Sequence, residues 1–110
     1  MTTAKIAWLA GLLEGEGCFY FRVRKVKGII KEYRFKKTAL ITVSSTDKDV
    51  IQNVSKMWNS SIYTRRNGVN KDYYTTVVNG KQAIGWMLTI YSYLGVRRRA
   101  KIREIVTRWK

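Results

Sequence analysis

Trp8-Leu9-Ala10-Gly11-Leu12-Leu13-Glu14-Gly15-Glu16-Gly17, near the start of a 110-residue chain, is the stretch on which the fold turns. It reads as the end of a helix. Ala7, Gly11 and Gly15 fall four apart, so they stack on one helical face. A glycine inside a helix costs up to about 1 kcal/mol against alanine. Two of them on one face need a reason, and close approach of another backbone supplies one. Glu14 and Glu16 then fall where the helix ends, at the negative pole of its dipole, where an acid is disfavoured by roughly 0.3–1 kcal/mol. If a second copy of this helix packs on the first, four carboxylates crowd together. A divalent cation is the natural compensation.

Working outward, the charge balance makes that placement stand out. The chain carries 22 Lys and Arg against seven Asp and Glu, a net charge of +15. The partner implied is a polyanion, nucleic acid ahead of a membrane surface. The length fits one domain over residues 1–110, and 45% hydrophobic residues suffice for a modest core that oligomerisation would help. There is no histidine, which removes Ser-His-Asp chemistry, common zinc sites and nucleases with a histidine base. Any metal must take oxygen ligands, which suits magnesium. The one cysteine, Cys18, excludes an internal disulfide and fits a reducing, intracellular compartment; it reads as a small packed residue. No secretory leader and no membrane-spanning apolar run is evident, so no membrane partner is expected; no small-molecule cofactor is expected either.

The chain then alternates strand and helix signals. A first helix is expected from about Thr3 to Gly15, capped by Thr2 or Thr3, with Ile6, Leu9 and Leu13 inward and Gly17 turning the chain. From Cys18 to Val26, Phe19, Phe21 and Val23 alternate with Tyr20, Arg22 and Arg24. Lys25, Lys27 and Gly28 form a basic turn. A second strand over Tyr33–Ser45 puts Ala39, Ile41 and Val43 inward, with Lys36, Thr38, Thr42 and Ser44 on the other face beside Leu40. Such a ribbon fits a major groove, where Arg and Lys read guanine and Thr meets a thymine methyl. Tyr20, Arg22, Arg24, Lys25, Lys27, Arg34, Lys36, Thr38 and Thr42 are the candidate contacts. Thr46 caps a second helix carrying Val50, Ile51, Val54, Met57 and Trp58, with Asp47 and Asp49 placed by capping rather than chemistry. Ser60–Arg66 and Lys71–Val78 form a second hairpin around Asn67-Gly68, where Arg65, Arg66 and Lys71 extend the basic surface. Asn79 caps a third helix with Ile84, Met87, Leu88 and Tyr91 buried, ended by Gly95. Arg97, Arg98 and Arg99 crowd the first turn of a last helix, against its dipole, which hints at phosphate.

Residues Leu9 to Gly17 resemble the nine-residue signature of the LAGLIDADG homing endonucleases. Leu9, Ala10, Gly11, Leu12 and Gly17 are identical to it; Leu13, Gly15, Glu14 and Glu16 are conservative departures. The α-β-β-α-β-β-α order also matches that family's α+β fold, with an antiparallel DNA-binding sheet. The resemblance implies a site-specific, magnesium-dependent endonuclease of double-stranded DNA (manganese substituting), acting as a homodimer through Ala7, Ala10, Gly11 and Gly15. Glu16 matches the metal-binding acid, helped by the Gly15 carbonyl, and Glu14 the more structural one. A polar residue near the end of the second strand falls at Ser44 or Ser45, with Ser45 taken as catalytic. The basic residue at the start of the last helix is Arg97, or Arg98 if the register shifts; Arg98 otherwise contacts DNA. Serine reaches less far than the family's glutamine, and arginine cannot act as a base near neutral pH. The same fold used for DNA or RNA binding without cleavage, as in a maturase or regulator, is the alternative. A basic structural protein is a third reading.

Overall fold

The computed structural model describes residues 2–27, 33–66 and 72–109, with the side chains of residues 26, 27, 33 and 34 outside that description. Helix α1 spans Thr3–Glu16, one residue further than the sequence suggests, so Glu16 itself closes the helix. Thr2 caps it, its side chain accepting from the Lys5 N–H. Strand β1 (Gly17–Lys27) follows at once and pairs with β2 (Tyr33–Ser45). Helix α2 (Lys48–Trp58) leads to β3 (Ile62–Arg65) and β4 (Tyr73–Asn79). Then come α3 (Gly80–Ile90), a short 3-10 turn at Tyr91–Tyr93, and α4 (Val96–Trp109). This is the expected α+β order, and the four strands form an antiparallel sheet ordered β1-β2-β4-β3.

The sheet's two faces follow its period-2 alternation. Phe19, Ala39, Ile41, Val43 and Val78 face the helices and join Leu9, Leu13, Ile51, Val54, Met87, Ile90, Ile102 and Ile105 in one core. Among the described residues the opposite face carries no helix. Thr76, fully buried on the helix side, shares a hydrogen bond with Ser60 and donates to the Ser61 carbonyl, tying β4 to the entry of β3.

Several local expectations shift. Asp47, not Thr46, is the N-cap of α2, and it makes no side-chain bond; the Ser45 hydroxyl accepts from the Asp47 N–H instead. Asn59 ends α2 in the left-handed region at φ 51°, a conformation asparagine tolerates. Asn79 starts α3 without a side-chain cap, and Gly80 takes φ +65°. Gly95 does not end α3; it stands immediately before α4, where its carbonyl accepts from Arg99. The inward stripe of α3 is Ala83, Met87 and Ile90, so Leu88, expected inside, lies on the surface.

Candidate functional site

The helix-free face of the sheet is a groove. Tyr20 and Arg22 from β1, Leu40, Thr42 and Ser44 from β2, Thr75, Val77 and Asn79 from β4, and Tyr63 and Arg65 from β3 line it together with Tyr73. The register makes this surface continuous. Tyr20 lies opposite Leu40 and Arg22 opposite Thr38; Thr42 lies opposite Val77, and Thr75 opposite Tyr63. A hydrogen bond of 2.7 Å joins the Ser44 and Thr75 hydroxyls across the β2–β4 seam. The floor is therefore hydroxyl-rich with two aliphatic residues, and arginines stand toward its ends. Such a surface can offer hydrogen bonds and methyl contacts to base edges and cations to phosphates.

Most of the nominated cations fall where the alternation puts them. Arg24 pairs with Lys36 and shares the groove's face with Arg22 and Thr38. Lys25 pairs with Phe35 on the other side of the ribbon. Arg66 is exposed beside the groove at 3.6 Å from Asp72. The side chains of Lys27 and Arg34 and the whole of Lys71 lie outside the described residues. The sequence reading missed Tyr63, Tyr73, Thr75 and Asn79. Their signal was the same alternation in the second hairpin, where Arg65, Arg66 and Lys71 drew attention instead. Cys18 was expected to pack; it is an exposed thiol on the groove face. The Tyr20 phenol is held above its ordinary value, chiefly by hydrogen bonding with the Cys18 thiol, then by that group's charge, with burial a smaller contribution.

At one end of β1 lies the acidic helix end. Glu16 is exposed there, in the last turn, where helical carbonyls such as that of Gly15 lack intrahelical partners. Gly17 leaves the helix at φ −80°, an ordinary extended conformation. Its need for glycine is steric: a Cβ would stand 2.8 Å from the Leu13 carbonyl oxygen. Glu14 points elsewhere. Its carboxylate accepts from the Gly95 N–H at 2.6 Å and lies 3.4 Å from Arg98 Nε. Arg98 also donates to the Glu14 carbonyl at 3.2 Å and to the Gly17 carbonyl at 2.7 Å. Two charges that looked misplaced thus answer each other: Glu14 sits at the positive end of α4, and Arg98 at the negative end of α1. Arg98 is committed to these bonds and packs over Phe19, away from the groove lining. Arg97 is exposed in the first turn of α4.

The sequence matches the LAGLIDADG endonuclease family over residues 9–104, nearly the whole chain. The chain belongs to that family. No curated protein matches it. Among solved structures, the homing endonuclease I-CvuI bound to its target with calcium superposes with a TM-score of 0.72 at 18% identity, covering 94% of this chain and 64% of that one. The archaeal intron-encoded I-Vdi141I, complexed with DNA, gives 0.66 at 17% identity over 94% of this chain and 67% of its own. The group I intron-encoded I-CeuI, also complexed with DNA, gives 0.69 at 11% identity over 96% and 54%. At such identities the likeness speaks for the LAGLIDADG fold. This chain spans about two thirds or less of the length of these three proteins.

Within that fold, Ala7, Gly11 and Gly15 lie exposed along α1, and a Cβ at Gly11 or Gly15 would meet nothing within 4 Å. Ala10, grouped with them on sequence, is 1% exposed and belongs to the core. Ser45 lies one residue off the groove's parity; Ser44 is the serine in the groove. Among the described residues no three His, Cys, Asp or Glu side chains gather as a metal cage. The donors at the helix end are one carboxylate and one carbonyl. That set fits a magnesium ion, which keeps waters and is commonly held by one or two carboxylates and substrate phosphates.

Proposed function

We propose that this chain is a site-specific, homing-type endonuclease that hydrolyses double-stranded DNA as a homodimer with magnesium. The observation that carries the proposal is the exposed Glu16 carboxylate closing α1 at the start of the strand that forms the groove. Duplex DNA lies along the groove, with Arg22, Arg24, Lys36 and Arg65 near phosphates and Tyr20, Thr42, Ser44 and Thr75 near base edges. A second copy packs on the Ala7-Gly11-Gly15 stripe, which brings two Glu16 side chains together, one for each strand. Glu16 and the Gly15 carbonyl would hold magnesium or manganese, which would supply Lewis-acid charge for water and the scissile phosphate. Arg97 stabilises phosphate charge from the start of α4. Ser45, whose oxygen already accepts from Asp47, keeps its hydroxyl proton to donate. Cys18 as a free thiol suits a reducing intracellular compartment.

The test is a cutting selection on long randomised duplexes with magnesium, followed by sequencing of the new ends. Paired cuts at a pseudo-palindromic site are expected, absent with Glu16→Gln and with a chelator. Uncut duplex that the protein still retains would overturn the nuclease reading and leave a binding module, with RNA the next ligand to try.

A further inference from the structure

We infer that Arg98 and Glu14 are positioning residues that hold the end of α1 so that Glu16 presents a fixed carboxylate to the metal. This rests on the metal role proposed for Glu16. The last turn of a helix frays unless its carbonyls find donors. Here one side chain supplies them on both sides of Glu16. Arg98 Nε donates to the Glu14 carbonyl, two residues before it, and Nη1 donates to the Gly17 carbonyl, one residue after it. The guanidinium's fork allows both at once, which an ammonium cannot do.

The arginine is itself held. Its side chain is 18% exposed, rests over the Phe19 ring and lies 3.4 Å from Glu14 Oε2. The other oxygen, Oε1, takes the Gly95 N–H at the entry to α4. The path runs from the α4 N-terminus through the Glu14 carboxylate and Arg98 to the two carbonyls that flank Glu16. Gly95 is part of the device: a Cβ there would stand 2.5 Å from Glu14 Oε1. An alanine would push the carboxylate off its donor without altering any charge.

The experiment is terbium titration, read by luminescence, of the intact protein bound to the duplex it retains most tightly. Wild type, Glu16→Gln, Arg98→Gln, Arg98→Lys and Gly95→Ala are compared, with duplex affinity and melting temperature measured alongside. Terbium half-saturation should rise about tenfold or more in Arg98→Gln and Gly95→Ala, as for other residues that orient a metal ligand. Arg98→Lys should fall between. In each, terbium binding should weaken more than duplex binding. If Arg98→Gln does not fold, Gly95→Ala and Arg98→Lys carry the comparison. Unchanged half-saturation with only a lower melting temperature would overturn the inference and reduce the clamp to a structural tie. Wild type binding terbium no better than Glu16→Gln would instead remove the metal role of Glu16, and the inference with it.

Discussion

Replacing Gly17 by alanine tests the helix-to-strand junction most directly. Two effects oppose. At φ −80° and ψ 153° alanine is unstrained, and it narrows the unfolded ensemble, which favours the variant by about 0.4–1 kcal/mol. Against that, the new methyl would stand 2.8 Å from Leu13 Cδ2, 2.8 Å from the Leu13 carbonyl oxygen and 2.9 Å from Leu13 Cα. Only the first of these atoms belongs to a side chain that could rotate, and Leu13 is fully buried in the core. The carbonyl is fixed as well, because it accepts the Gly17 N–H. Overpacking of this kind costs about 1–3 kcal/mol. Taking the middle of each range, the clash wins by about 1.3 kcal/mol, roughly 5–10 °C in melting temperature for a domain of this size. Thermal melts by circular dichroism, at one protein concentration and without DNA, measure it. A Gly17→Ala protein melting at or above wild type would refute the steric account of the junction.

Other outcomes follow from the same geometry. Gly11→Ala adds a methyl that meets nothing in the single chain, so monomer stability should rise by up to about 1 kcal/mol through helix propensity. In the proposed seam the same methyl intrudes, so sedimentation should show a weaker dimer; an unchanged dimer constant would take Gly11 out of the interface. Thr76→Val leaves Ser60 and the Ser61 carbonyl without their partner inside the protein and should cost about 1–3 kcal/mol in urea denaturation. Arg22→Ala, on the groove, should weaken duplex retention by about 1–3 kcal/mol if it reads a base. If it meets only phosphate, the loss should be uniform across sequences, with the salt slope reduced by about one. No loss of either kind would place the duplex elsewhere.

What the sequence could disclose depended on whether a local pattern decided the outcome. The alternation of Phe19, Phe21 and Val23 with Tyr20, Arg22 and Arg24 assigned β1's faces because a strand's period leaves no other choice. Leu88 failed because helical spacing admits several stripes about one residue apart. Which stripe turned inward was decided by the sheet beneath α3, whose buried positions are Ala83, Met87 and Ile90. Ala10 failed for a related reason: on α1 the small residues split between the core and an exposed stripe, and residue size does not distinguish them. Tyr63 and Tyr73 were overlooked because the β3–β4 hairpin joins the groove only through the pairing of β4 with β2, made far along the chain. The Glu14–Arg98 contact bridges 84 residues, a separation at which no spacing rule operates.

That contact changes what an ill-placed charge means. Glu14 and Glu16 both sit at a helix end that disfavours acids, and both could be taken for ligands. Glu14 is relieved inside the chain, by Arg98 and by the Gly95 N–H at the positive end of α4. Arg98 is explained by the same contact and needs no phosphate. Its neighbours in the chain separate accordingly: Arg97 stays exposed beside the acidic helix end, while Arg98 turns inward. Glu16 takes part in none of these pairings, and the bonds around it fasten the backbone on either side of its carboxylate without engaging it. An acid left exposed on a braced helix end, outside these contacts, stays available to the cation of the proposed function. The exposed glycine stripe on the same helix would set a second such acid beside it. In the proposed dimer the paired acids that would favour a cation and the steric opening for a second copy therefore fall on one helix.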